Sequence, residues 1–344
     1  LLRRNGLVVY MKTSVGHQMR RLNRDRTRPL LQTPDRREKL AQLAAQRNPL
    51  YEEVADIEFP SQNRGLDNTA QALAELIRST GARPETMTLL MRQRLDMKSI
   101  DVELKTSAYP VYLGRDLLGD ATLWKRHLGR GKVLVVSNDT VAPLYLDALR
   151  RGLDQHDCEL HIIPDGEQYK TVETWYGIID RLVSVRARRD STVVALGGGV
   201  VGDIAGFAAA SYMRGIRFLQ APTTLLAQVD ASVGGKTGVN HAHGKNLVGA
   251  FYQPEAVFID SATLDTLEPR EFNAGLAEVV KYGAIRDAAF FEWLEEEAGA
   301  VNARDGQALE YLIHRSVLNK AAVVAEDEKE SGVRALLNFG HSFG

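Results

Sequence analysis

The run Thr192-Val193-Val194-Ala195-Leu196 passes without a break into Gly197-Gly198-Gly199-Val200-Val201-Gly202-Asp203. An apolar strand with no polar alternation has no solvent face, so it belongs inside a parallel sheet covered on both sides. The glycines satisfy G-x-G-x-x-G between that strand and an apolar helix expected over Ile204 to Tyr212. Glycine lets the backbone turn tightly and come close to a pyrophosphate, whose charge then sits at a helix N-terminus. The alternative reading is a merely tight turn. Two βα units come before it, so this is not the first βα turn of its domain.

Those units are the strand Lys132 to Ser137 with the helix Thr140 to His156, and the strand Glu159 to Ile163 with the helix Thr171 to Val185. Alternation of this kind predicts an α/β domain from about residue 98. After about Asp260 only helical periodicity remains, over Glu271 to Ile285, Ala288 to Ala298 and Gln307 to Glu326. Ahead of residue 98, a strand is expected at Leu7 to Met11. A basic helical stretch follows at His17 to Asp25, then helices at Asp35 to Arg47 and Asp67 to Ser79. Residues 81–97 read as a linker, which divides the chain into 1–80, 98–260 and 261–344.

Charge narrows the partners. The formal net charge of −1 argues against a dedicated nucleic-acid or membrane-surface protein. Residues 1–50 nevertheless hold twelve Lys/Arg against three Asp/Glu, either a solvated helix face or a pocket for phosphate-bearing ligands. Cys158 is the only cysteine, which excludes an intrachain disulfide and suits a reducing cytoplasm. No apolar run reaches the roughly 18–20 residues that span a bilayer. The chain does not begin with Met and stops within Asn338-Phe339-Gly340-His341-Ser342-Phe343-Gly344, so a fragment cut at both ends is expected.

Three further clusters carry chemistry. Asp230 to Asn240 includes Gly234-Gly235-Lys236-Thr237, but Asp230 occupies the place where a P-loop needs glycine. With Lys245 and Asn246 the segment reads as a loop for an anionic, hydroxyl-bearing ligand or as a solvated surface loop. Glu278 and Lys281 lie three apart on one helix face, as metal ligand or base beside a phosphate contact, or as a surface ion pair. Lys320 stands apart from Arg334, Asn338 and His341, whose spacing puts the last three on one α-helical face. Arg334 offers a fork for phosphate or carboxylate, and His341 a nitrogen for zinc.

Taken in order, Asp165-Gly166-Glu167-Gln168-Tyr169-Lys170, the Gly197–Asp203 loop, Pro222-Thr223-Thr224, Gly234-Gly235-Lys236, Gly275 to Lys281 and Leu337-Asn338-Phe339-Gly340-His341 resemble the 3-dehydroquinate synthase family. The resemblance runs from about residue 98 to the end. It implies a Rossmann-like parallel-sheet NAD-binding domain, followed by an α-helical metal and substrate domain that is incomplete. NAD would be held by Asn138, by Asp165 through Lys170, by Gly198, Gly199, Val200, Val201, Gly202 and Asp203, by Thr223, Thr224, Lys236 and Lys245, and by Thr263, Leu264, Asp265 and Thr266. Glu278 and His341 would bind the metal, Zn2+ or alternatively Co2+. Asp230, Asn246, Lys281, Lys320, Arg334 and Asn338 would line the substrate pocket. Arg214 resembles an arginine that reaches the substrate phosphate across a homodimer interface.

The implied reaction turns 3-deoxy-D-arabino-heptulosonate 7-phosphate into 3-dehydroquinate by transient oxidation, phosphate elimination, re-reduction and aldol closure, a lyase reaction of the shikimate pathway. Another sugar-phosphate cyclase and a glycerol-dehydrogenase-like oxidoreductase are the rivals within the fold, and a non-catalytic interaction module is the rival outside it. Residues 1–80 resemble the C-terminal half of shikimate kinase, a partial P-loop-kinase-like α/β segment in which Arg28 and Arg47 are the ligand contacts. The family's third metal ligand, a histidine, lies beyond residue 344. The resemblance therefore implies an incomplete metal site and little or no activity in the chain as it stands.

Overall fold

The computed structural model describes residues 9–13, 15, 36–54, 57–60, 97–104, 107–154, 156–328, 330 and 332–339. The chain forms two compact units, Leu1–Met91 and Arg92–Gly344. In the first, strand β1 (Val9–Lys12) pairs in parallel with β2 (Ile57–Pro60), Val9 opposite Ile57. Parallel strands need a crossover connection, and helix α1 (Arg36–Val54) lies within it. The helix runs beyond the expected end at Arg47 to Val54, and Tyr10 Oη donates to its Asn48 Oδ1 at 2.8 Å. The expected helices at residues 17–25 and 67–79, and Arg28, lie outside the described residues.

The second unit is built on seven strands in the order β3-β4-β11-β8-β7-β5-β6. These are β3 (Lys98–Glu103), β4 (Ala108–Gly114), β5 (Val133–Asn138), β6 (Cys158–Ile163), β7 (Thr192–Gly197), β8 (Arg217–Pro222) and β11 (Ala256–Asp260). Only β3 pairs antiparallel, against β4. Every residue of β5, β7 and β11 is buried, as unbroken apolar strands require. Helices α2 (Ala142–Gly152), α3 (Val172–Ser184) and α4 (Gly199–Ser211) connect the strands. An antiparallel hairpin of β9 (Lys236–His241) and β10 (Gly244–Phe251) stands apart from the sheet.

The strand order places the site. From β5 the chain moves outward to β6, then returns to the other flank of β5 as β7. Helix α2, which follows β5, and helix α4, which follows β7, lead to strands on opposite flanks, opening a crevice at the carboxyl ends of β5 and β7. Asn138 ends β5 and the triple glycine ends β7, in adjacent registers.

Helices α5 (Pro269–Arg286), α6 (Ala288–Glu296) and α7 (Gly306–Glu326) follow. They share one apolar core with the sheet: Ile100, Val111 and Val257 join Phe272, Tyr282, Leu312 and Val317. Burying each of these large side chains contributes about 1.5–3 kcal/mol. Gly275 sets the depth of α5, because a Cβ there would lie 2.5 Å from the Leu226 amide nitrogen.

Candidate active site

The glycine turn makes one wall. Gly198 is the N-cap of α4, and the helix begins at Gly199 rather than at Ile204. A Cβ on Gly198 would lie 3.1 Å from Thr224 Cγ2, and one on Gly199 would lie 3.3 Å from the Ala231 methyl. The Thr223 amide donates to the Gly197 carbonyl at 3.0 Å, which ties the turn to the end of β8. Thr223 is buried, and its hydroxyl has no partner among the described residues. A buried orphan hydroxyl costs about 1–3 kcal/mol, so its place beside the glycine turn points to a ligand atom that satisfies it.

Across the switch point, Asn138 Nδ2 donates to Asp165 Oδ1 at 2.6 Å and Thr140 Oγ1 to Asp165 Oδ2 at 3.0 Å. Gly166 takes a φ of 120° just beyond, where a side chain would be strained. Thr263 and Leu264 are buried, Asp265 pairs with Arg115, and Thr266 bonds Tyr145. Leu264 lies within the apolar core and its carbonyl accepts from Arg304, so neither points into an open space.

Behind the turn, Lys170 is a buried node. Its ammonium donates to Asp203 and, at 2.6 Å, to Asn246 Oδ1. Asn246 sits at φ 57° with its amide on Asn240 Oδ1 at 2.8 Å, and Asn240 donates on to Glu167 Oε1 at 2.8 Å. Burial pushes the Asp203 carboxyl up to about 6, against the pull of Lys170 and Lys320. Lys245 is exposed on the hairpin.

The second node centres on Asp230, in a π-helical turn over Ala227–Ala231. Such turns are rare and bring side chains out of helical register. The Lys320 ammonium, on α7, lies 2.7 Å from Asp230 Oδ1 and also donates to the Asp230 carbonyl. Tyr282 Oη stands 3.1 Å from the same Oδ1. Burial raises the Asp230 carboxyl, but Lys320, Lys281 and the Tyr282 hydroxyl overcome that and hold it down at about 2. Burial in turn lowers the Lys320 ammonium.

Lys281 is buried, not on the surface: it pairs with Glu278 and donates to the Leu337 carbonyl at 2.7 Å. Arg334 is 1% exposed and donates to the carbonyls of Glu328 at 2.6 Å and Gly234 at 3.2 Å. Lys236, half-exposed at the start of β9, pairs with Glu330. Lys320, Lys281 and Arg334 thus converge around Asp230 and Glu278, the charge balance of a site that receives an anion.

Arg334 and Asn338 do not share the face expected of them. Residues 333–338 make a 3-10 helix, with three residues per turn. Arg334 therefore eclipses Leu337, both buried, while Asn338 turns outward to Glu330 at 3.4 Å. His341 lies outside the described residues, among which no group of three His, Cys, Asp or Glu could hold a metal ion. Arg214 is exposed at φ 67°, beyond the far end of α4 from the glycine turn. Arg47 is exposed on α1 of the other unit.

No sequence pattern marks Tyr109 or Glu330, and Asn240 and Tyr282 enter only as members of the segments around Asp230 and Lys281. Tyr282 had a signal, since it stands four residues after Glu278 on the same helix. Tyr109, whose hydroxyl accepts from the Gly234 amide at 3.1 Å, had none.

Among solved structures, 2-deoxy-scyllo-inosose synthase complexed with carbaglucose-6-phosphate, NAD+ and Co2+ is similar to this chain at TM-score 0.66 and 27% identity, over 71% of this chain and 68% of that one. The 2-epi-5-epi-valiolone synthase of Streptomyces hygroscopicus, with NAD+ and Zn2+ bound, matches at TM-score 0.64 and 33% identity, over 70% and 68%. The fold, the cluster of buried cations and the similarity to these cyclases define an enzyme of the sugar-phosphate cyclase type.

Within that class, the family models for the 3-dehydroquinate synthase N-terminal and C-terminal regions match residues 160–274 and 275–344. A 3-dehydroquinate synthase of Nitrosococcus oceani is 57% identical over 248 residues, 72% of this chain and 69% of the relative. This chain belongs to the 3-dehydroquinate synthase family. The shikimate kinase model matches residues 1–78, ahead of it.

Proposed function

We propose that the second unit converts 3-deoxy-D-arabino-heptulosonate 7-phosphate to 3-dehydroquinate and phosphate, as an NAD- and metal-dependent lyase in a reducing compartment. The observation that carries this reading is the gathering of three buried cations, Lys320, Lys281 and Arg334, around Asp230 and Glu278. A dehydrogenase needs no such excess of buried cations, whereas a phosphate that leaves by elimination does.

The residues fit NAD: the turn at Gly198 and Gly199 packs too closely on Thr224 and Ala231 to carry side chains, so its backbone stays bare, and the Thr223 hydroxyl lacks a partner beside it among the described residues. Asn138, Asp165 to Lys170, Asp203, Thr224, Lys236, Lys245 and the 263–266 segment are the further candidates for its contacts. Glu278 fits a cation, since its carboxylate already holds the Lys281 ammonium, and His341 is its candidate co-ligand. When bound, NAD accepts and returns a hydride while the divalent metal polarises the hydroxyl undergoing oxidation.

The chain's own groups supply the rest. Lys320, Lys281 and Arg334 steady the negative charge of the substrate and departing phosphate. Asp230, held ionised by Lys320, orients that ammonium, while Asn246 and Asn338 offer hydrogen bonds to hydroxyls. Helix α4 has 13 residues, about 20 Å, between the glycine turn and Arg214. Arg214 therefore meets a phosphate only from a second copy, which supports a homodimer. The decisive experiment supplies heptulosonate phosphate, NAD+ and Zn2+ and follows phosphate and NADH together. In a protein that also carries the family's third metal-ligand histidine, phosphate release without NADH accumulation is expected, with little or none from residues 1–344 alone; NADH formed in step with product would assign a dehydrogenase instead.

A further inference from the structure

We infer a second anion site on the opposite edge of the sheet, at the amino ends of β5, β6 and β7, which takes a small phosphate-class polyanion. A cleft of about 660 Å³ opens there, lined by Arg130, Arg186 and Arg188 together with Lys132, Asp157, Glu159 and Asp190. Two of the carboxylates are already satisfied: Lys132 lies 2.6 Å from Asp157 and 3.7 Å from Glu159, and Arg181 lies 2.8 Å from Glu159. Arg130, Arg186 and Arg188 meet no carboxylate among the described residues, and the lining as a whole sets four cations against three carboxylates, an excess of one positive charge. Guanidinium forks recognise phosphate oxygens bidentately.

The backbone adds an independent observation. Arg186 sits at φ 56° just past the end of α3, where its amide donates to the Val183 carbonyl at 2.9 Å and that of Ala187 to Leu182 at 2.9 Å. This is the Schellman ending, whose left-handed position glycine fills at least cost. Arg304 occupies the equivalent place after residues 298–302, at φ 56°. There the guanidinium repays the strain: it bonds the carbonyls of Leu264 at 2.8 Å and Leu267 at 2.6 Å and lies over the Phe272 ring. Arg186 bears the same strain with its guanidinium directed to no such partner. Backbone strain at a non-glycine residue collects at ligand clamps.

The test is calorimetric titration of the chain with inorganic pyrophosphate, alone and with excess NAD+. Pyrophosphate is expected to bind in both conditions. Arg186→Gly should weaken it while raising the melting temperature, because glycine relaxes the turn. Arg186→Glu with Arg188→Glu should weaken it about tenfold or more and leave NAD+ affinity unchanged. Absence of binding, complete displacement by NAD+, or unaltered binding in both variants would overturn the assignment.

Discussion

Lys320 grips Asp230 at two points: its ammonium lies 2.7 Å from the carboxylate Oδ1 and donates as well to Asp230's own carbonyl. One side chain on α7 thus fixes both the charge and the backbone of a π-helical turn that lies 90 residues away. The same contact locks the helices onto the sheet.

Lys320→Met is therefore expected to cost about 2–3 kcal/mol at neutral pH, because a largely enclosed carboxylate loses its counter-charge. Asp230 is held at about 2 against an ordinary 3.8. A depressed carboxyl contributes stability that is present above pH 4 and lost as pH falls through about 2. Urea unfolding from pH 7 down to pH 2 should show the gap between the two proteins closing in acid. A gap that stays constant would mean the ion pair is not its source.

Asp203 has the reverse sign. Its carboxyl rises from 3.8 to about 6, so the folded protein holds that proton more tightly than the unfolded chain. Stability then falls as pH climbs from about 4 to 6, by on the order of 1–2 kcal/mol for this partly exposed group. Asp203→Asn keeps an acceptor for Lys170 and removes the titration. Melting temperatures at pH 4.5 and 7 should drop less in the variant than in the parent; equal drops would contradict the assignment.

Gly234→Ala should destabilise by about 2–3 kcal/mol, since φ is 97° and the new methyl would meet Arg334 Nη2 at 2.5 Å. Gly235→Ala, at φ 66° and against the flexible Gln253 side chain, should cost only about 1 kcal/mol. Denaturant midpoints of the two variants test that order.

Much of the frame could be read along the chain. The strand at residues 192–197 and the helix after it follow from an apolar run closed by glycines, a purely local signal. Helices α5, α6 and α7 show in their periodicity. Strands β8 and β11 are not legible there: Arg217, Gln220 and Pro222 break the apolar run of β8, and the five residues of β11 are too few to carry a period. The α-helical spacing of Arg334 and Asn338 does not put them on one face, because residues 333–338 wind at three residues per turn.

Family motifs named most of the candidate site residues, Asp230, Lys281, Lys320 and Arg334 among them. Their state was not legible, because charge and burial depend on neighbours distant in sequence. Lys170 finds Asp203 and Asn246 at separations of 33 and 76 residues.

The sequence by itself determined where the backbone turns and which segments are helix or buried strand, because glycine freedom and apolar periodicity act over a few residues. Only the tertiary structure decided that Lys281 is buried, that Asp230 stays ionised and that Arg186 stands over an open cleft. Those outcomes rest on desolvation and on charges brought together from remote elements, which no local pattern encodes.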